Sequence, residues 1–408
     1  MMSAHRNYQD RPEHSHPAMN RADSKPIRVA LFHPCLIHGG IPRVFANLAR
    51  GFLEHGLTVD MVQATAEGGF RDQVPAGVRL VDLNASRALT SVFPLVRYLR
   101  RERPDALISG AIQTNIAAVW AKRLARVPTR LILTEHNNIS AIVAHARMFR
   151  TRVTPFFVRR FYPWAEELVA VSQGAAEDLA LLLGIPADVV HVIHNPIVGP
   201  EFWRRAAEPL ADKTFAADPR PVILAVGRMH YHKDYPTLLQ AIAIVRRTTN
   251  ARLVFLGDGE ERGNLVALVR QLDLESCVSF LGDVPNPLPY MKRAAALALS
   301  SVEEALPTVL IESLAVGLPV VATDCPSGPR EILRDGAYGT LVPVGDSAAL
   351  AEALLRVLQH PRRPSIPDEA LAPFRHDHVI GKYLAILGVN GNTQHPSSLQ
   401  AGVATEER

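Results

Sequence analysis

Glu304 and Glu312 enclose an apolar stretch, Ala305-Leu306-Pro307-Thr308-Val309-Leu310-Ile311, whose proline marks a helix start. Glu304 then lies in the loop before the helix and Glu312 about one and a half turns inside it. A carboxylate accepts two hydroxyl hydrogen bonds, which is how proteins grip the vicinal diol of a ribose or hexose. The helix start at Pro307, Thr308 and Val309 offers unpaired amides and a partial positive charge to phosphate. Two glutamates around a helix start therefore suit a nucleotide-sugar. The plain alternative is one surface and one helix-face glutamate, but Glu312 is conspicuous on so apolar a helix.

Two further groups have the chemistry for a phosphate. Gly227-Arg228 closes an apolar run, and Lys233-Asp234 follows five residues later. Arg228 and Lys233 thus share one short loop, where they would neutralise a diphosphate that gains charge as it leaves. Gly39-Gly40-Ile41-Pro42-Arg43 opens a helix after the first run. Pro42 suits the first helical turn, and the two glycines let backbone come close to an anion. Read alone, that glycine turn is as well explained by structure.

These groups need strand ends to hold them. Short apolar runs alternate with helical segments along the chain: Arg28–His33, Leu57–Gln63, Arg130–Thr134 and Glu167–Val171, then Pro221–Val226, Arg252–Leu256, Cys277–Leu281, Ala296–Ser300 and Leu318–Thr323. Pro42–His55 sets Val44, Phe45, Leu48 and Phe52 on one helix face. Such alternation predicts an α/β protein with parallel sheets covered by helices. With 408 residues, and the pattern restarting near 221, two Rossmann-like domains are expected, 27–197 and 221–372, joined by a linker at 198–220. Ligands of open α/β sheets sit at the carboxyl ends of the strands, so a cleft between the domains is the expected site.

Composition sets bounds. The polar residues 1–26 hold no apolar block and read as a disordered leader, and 388–408 as a disordered tail. Cys35, Cys277 and Cys325 are too few and too scattered for a disulfide framework, which points to a reducing, cytoplasmic compartment. No apolar run reaches the ~18–20 residues of a membrane-spanning helix. The net charge of +4 is modest and no reading motif appears, so nucleic acid is not an expected partner.

Taken in order, Gly39-Gly40 with Arg43, Glu135-His136-Asn137, Ser172, Asn195-Pro196, Gly227-Arg228 with Lys233, Gly257-Asp258-Gly259, Phe280-Leu281-Gly282 and Glu304-x7-Glu312 resemble retaining glycosyltransferase family 4, over roughly residues 27 to 387. Asp324-Cys325-Pro326-Ser327-Gly328-Pro329-Arg330-Glu331 is similar to members that build polysaccharides and lipid-linked oligosaccharides. The resemblance implies the GT-B fold and a helix at 373–387 crossing back to the first domain. It implies that Arg228 and Lys233 bind the donor diphosphate, Glu312 the ribose hydroxyls and Glu304 a hydroxyl of the donor sugar. His136 would lie against the sugar and Gly40 near its phosphate. The usual Glu-Gly-Phe-Pro reads Glu304-Ala305-Leu306-Pro307 here, so the resemblance leaves the sugar open.

The expected activity is retaining transfer of a hexose from a nucleotide diphosphate-sugar, with UDP favoured, to a glycan or polyprenyl-linked acceptor. Asp-x-Asp occurs nowhere in the chain, so no metal or other cofactor is expected. A nucleotide-sugar epimerase of similar shape and a non-catalytic nucleotide-sugar sensor are the alternatives. A dinucleotide oxidoreductase is disfavoured, because no Gly-x-Gly-x-x-Gly follows the first run.

Charge is uneven. Ile27 to Pro196 holds 19 Lys/Arg against 13 Asp/Glu, whereas Pro221 to Leu384 holds 16 against 18. Arg97–Arg103 and Arg147–Arg160 are the basic stretches, the second interleaved with Phe156, Phe157, Phe161 and Trp164. Basic residues among large apolar ones are expected to meet an anionic membrane surface, as a peripheral protein on its inner face. A solvated face over packed aromatics is the plainer reading.

Overall fold

The computed structural model describes residues 26–35, 40–65, 74–144, 149–210, 212, 215 and 217–389. The stretches read as leader and tail fall outside them, save residues 26, 388 and 389.

The first sheet comprises β1 (Arg28–His33), β2 (Thr58–Gln63), β3 (Arg79–Asp82), β4 (Ala106–Gly110), β5 (Arg130–Glu135), β6 (Glu167–Ala170) and β7 (Val190–Val192). All are parallel, in the order β3-β2-β1-β4-β5-β6-β7. Its helices include α1 (Gly40–Glu54), α2 (Val92–Glu102), α3 (Ile112–Ala125), α4 (Thr154–Phe161) and α5 (Gln173–Leu183). Both sheet faces are covered, so β1 is apolar on both sides. Val29 and Leu31 pack in one layer with α1, and Ala30 and Phe32 in the other with α2 and α3.

The second sheet repeats the plan with β8 (Val222–Val226), β9 (Arg252–Leu256), β10 (Val278–Phe280), β11 (Ala296–Leu299), β12 (Val320–Thr323) and β13 (Thr340–Val342). These are parallel in the order β10-β9-β8-β11-β12-β13. Helices α6 (Tyr235–Val245), α7 (Thr308–Ala315) and α8 (Gly328–Ile332) follow β8, β11 and β12. The fold is the expected one: two doubly wound domains of the GT-B kind.

In each sheet the strand order reverses at one place, between β1 and β4 and between β8 and β11. Loops leaving that place diverge to opposite faces and open a crevice. Gly40 follows β1, Arg228 and Lys233 follow β8, and Glu304 follows β11. The motifs therefore flank the switch points.

Two segments pass between the domains. Residues 198–220, read as a linker, include a seven-residue helix, Pro200–Ala206, anchored by buried Phe202. The closing helix α9 (His376–Leu387) packs against α1, with Phe52 and Tyr383 edge to face at 6.1 Å. The two passages touch. Ile197 and Val198 donate their amides to the Phe374 carbonyl at 3.0 Å, and the His376 amide donates to the Val198 carbonyl at 2.8 Å. Val198 and Arg375 pair as a parallel bridge.

Candidate active site

On the second domain the loops after β8 and β11 are clasped together. Gly227 has φ +144°, a backbone conformation that strains any residue with a side chain, and Lys233 Cε packs directly beside it. Lys233 Nζ donates to Glu304 Oε1 at 2.5 Å, and Ser301 Oγ donates to the same oxygen at 2.7 Å. Ser300 Oγ donates to the Lys233 carbonyl at 2.7 Å, and the Val302 amide to the His232 carbonyl at 2.8 Å. The ion pair is largely shielded, with side chains 14% and 11% exposed. Arg228 is not in that clasp. Its side chain is 73% exposed and meets Glu260 at 3.2 Å.

The facing wall comes from the loop after β5. His136 Nε2 lies 3.1 Å from Thr134 Oγ1, and burial pushes its imidazole down to about 4, so the ring is neutral at physiological pH. Beside it Glu135 is fully buried. Tyr162 Oη donates to Oε2 at 2.9 Å, and the His136 amide and Asn137 Nδ2 donate to Oε1 at 3.1 and 3.2 Å. Burial raises this carboxyl to about 7 despite those donors. Asn115 Nδ2 holds Tyr162 Oη at 3.0 Å. The loop that aims His136 is thus fixed from below by one carboxyl group.

Between the walls lies a cavity of about 590 Å³. His136, Asn137, Asn138, Ile142 and Thr151 line it from the first domain, and His230, Tyr231, His232, Glu303, Glu304, Ala305 and Leu306 from the second. Its lining mixes carboxylates, amides and imidazoles with apolar Ile142, Ala305 and Leu306. Lys233 is held beside it by Glu304, which suits a small polar molecule with an anionic end.

Glu312 sits elsewhere. It is buried on α7 and meets Arg43 of α1 across the interface, Nη1 to Oε1 at 3.2 Å. Burial raises its carboxyl, offset by the charges of Arg43 and Arg205. The two glutamates therefore open on different hollows, Glu312 lining a narrow one of about 60 Å³ with Arg43, Asn47 and Arg205. Pro307 caps α7, Thr308 and Val309 begin it, and Gly328 presses on this start. Gly40 faces open space, and Gly39 lies outside the described residues. Among the described residues no three His, Cys, Asp or Glu side chains group as metal ligands.

The chain is similar to known proteins in sequence and in fold. The profile of the family described as Glycosyltransferase Family 4 matches residues 38–198, and that of Glycosyl transferases group 1 matches 220–360. The chain belongs to glycosyltransferase family 4. The glycosyltransferase is 34% identical, over 60% of its own length and 64% of the relative's, to a Campylobacter jejuni N-acetylgalactosaminyltransferase named for an undecaprenyl-diphosphate acceptor. That aligned stretch is less than two thirds of the relative. It is 29% identical to a Rhizobium meliloti lipopolysaccharide core biosynthesis glycosyltransferase, over 85% and 92% of the two chains. In fold it resembles the Anabaena protein HepE solved with UDP-glucose, with TM-score 0.71, 19% identity and coverage of 88% and 100%.

Sequence reasoning had singled out His136, Lys233, Glu304 and Leu306, and the glycosyltransferase brings these four to one place. It missed His230, Tyr231 and His232, whose rings crowd one another beside Lys233. The sequence His230-Tyr231-His232-Lys233 held the available signal: ring-bearing residues directly before the loop lysine. The two histidine Nδ1 atoms are in contact, and burial keeps His232 down to about 4, with the Lys233 charge adding to it. Also missed were the contacts that draw the domains together. Asn138 Nδ2 donates to Ser327 Oγ at 3.0 Å, and Glu331 accepts from the Gln173 amide at 2.9 Å while meeting His194 Nε2 at 2.6 Å.

Proposed function

We propose that this glycosyltransferase moves a hexose from a nucleotide diphosphate-sugar, UDP-linked, to a hydroxyl of a glycan or lipid-linked glycan, retaining anomeric configuration. The observation behind it is the clasp of Lys233 on Glu304, opening on the cavity opposite neutral His136. Lys233 would exchange its carboxylate partner for the departing diphosphate, and Arg228 would swing in from its exposed position to share that charge. Glu304, released, would accept from a sugar hydroxyl. His136 would lie against the sugar as a hydrogen-bonding group without charge, and Glu312 would take the ribose once Arg43 withdraws. Stabilising the leaving group supplies the catalysis, and a donor phosphate oxygen takes the acceptor proton. Two cationic side chains do the work of a divalent ion, in keeping with the missing Asp-x-Asp.

The donor assignment is supported by HepE, whose structure holds UDP-glucose, and the acceptor class by the relative named for an undecaprenyl-diphosphate acceptor. The three free cysteines support a cytoplasmic place of action for the proposed enzyme. The test is thermal unfolding against UDP, GDP, ADP and their sugars, with and without magnesium. A ligand at 100 times its dissociation constant adds about 2.7 kcal/mol. A magnesium-independent shift with uridine ligands, followed by NMR of a product with the donor's anomeric configuration, is the expected result. No shift with any of them overturns the donor site. Acceptor-independent release of an altered sugar would make the protein an epimerase.

A further inference from the structure

The described parts of the two basic stretches, far apart in sequence, fold onto one surface of the first domain; Arg147 lies outside the described residues. Helix α2 presents Arg97, Arg100 and Arg101, with Phe93 76% exposed near its start. Helix α3 adds exposed Trp120, Arg123 and Leu124, and α4 adds Phe156, 66% exposed, with Phe157 and Arg160. The surface is continuous. Arg100 Nη2 donates to the Leu124 carbonyl at 2.9 Å, tying α2 to α3. Trp120 meets Phe161 at 5.3 Å, Phe161 stacks on Phe157 at 6.1 Å, and Phe157 meets Phe156 at 5.6 Å. Arg123 and Arg160 lie over the Trp164 ring at 4.4 and 4.7 Å.

Carboxylates are sparse along these elements. Between Glu102 and Glu166 the chain holds only Asp105 and Glu135, and Glu135 is buried. Glu102 is engaged by Arg28, Arg79 and Arg101, and Glu166 by Lys122. Exposed aromatic rings ringed by arginines match the layering of a phospholipid surface: rings at the acyl boundary, guanidinium groups on the phosphates. A protein partner would need acidic and apolar groups arranged to fit. A bilayer brings phosphate and hydrocarbon together without any fit.

We propose that this face, centred on Phe93, Trp120, Phe156, Arg100, Arg123 and Arg160, docks the enzyme on anionic phospholipid. The position has a use, resting on the acceptor reading above. Thr151 lines the large cavity and α4 begins three residues later, so the face borders the acceptor side of the cleft. A saccharide on a lipid carrier would enter the cavity without leaving the membrane.

The test is flotation of the full chain with vesicles of phosphatidylcholine alone or with about one third phosphatidylglycerol. The protein rises with the anionic vesicles and stays down with the neutral ones. Arg123→Glu with Arg160→Glu weakens binding at least fivefold per residue. Phe93→Ser with Phe156→Ser, both at exposed sites, weakens it about tenfold. Both variants keep the wild-type circular dichroism and the nucleotide-induced thermal shift, which separates loss of docking from loss of the donor site. Failure of the wild type to float, or variants that float like it, overturns the proposal. So does a dimer, seen by sedimentation, that the phenylalanine variant dissolves, since the face would then be an interface between copies.

Discussion

Lys233 already holds an anion, Glu304, so under the proposed function donor binding is an exchange of partners. Removing the lysine would then leave a shielded carboxylate facing the proposed donor's diphosphate. Lys233→Ala is expected to lower turnover by about 10²–10³, the cost of losing one preorganised donor to a developing oxyanion. Arg228→Ala, at an exposed position, lowers it less, and steady-state kinetics on both variants check the order. Glu135 offers a prediction in pH. Its carboxyl titrates near 7 in the fold, above the usual carboxylate range, so folding holds a proton that the unfolded chain gives up. Stability from this residue is therefore full at low pH and falls as pH rises from about 4.5 to 7. Glu135→Gln should gain on the wild type by up to about 3 kcal/mol between pH 5 and pH 8, read by denaturant unfolding at both. The difference between the two proteins cancels His33, His136 and His232, whose lowered pKa values act with the opposite sign. An unchanged difference would mean that Glu135 stays charged.

At the scale of elements, Gly328 shows how the second domain sets its loop. A Cβ there would strike Pro307 Cδ and approach the Ala305 carbonyl to 2.8 Å. Helix α8 thus lies against the backbone that delivers Glu304. Gly328→Ala is expected to cost about 1–3 kcal/mol by overpacking and to weaken nucleotide affinity as the loop shifts. Thermal unfolding and a nucleotide titration measure the two effects. The long apolar strands were readable because burial on both faces leaves uninterrupted runs, as in Val222–Val226. Strand β4 was not, since Ala106-Leu107-Ile108-Ser109-Gly110 has only one β-branched residue and ends in small ones. Yet β4 is central and pairs with β1 and β5. Edge strand β3, Arg-Leu-Val-Asp, is mostly exposed and too polar to stand out.

At the scale of the whole molecule, Glu331 makes two of the polar contacts between the domains, with the Gln173 amide and with His194. Glu331→Ala should let the cleft open, with a larger radius of gyration by small-angle scattering and a loss of stability of about 1 kcal/mol or less, since the pair with His194 is partly exposed. The single residues at the strand ends were legible because motif and strand end coincide in sequence. The Arg43–Glu312 contact was not, because it joins α1 to α7 and arises only when two separately readable domains are brought together.

The two passages between the domains deserve a last consequence. A chain that crosses a cleft once leaves its halves free to swivel. Here the crossings at Val198 and Arg375 are laced by backbone hydrogen bonds, so they form the spine of a book. Pages bound along a spine have one angle of opening and little twist. A single distance between labels on the two facing walls would then report the entire motion.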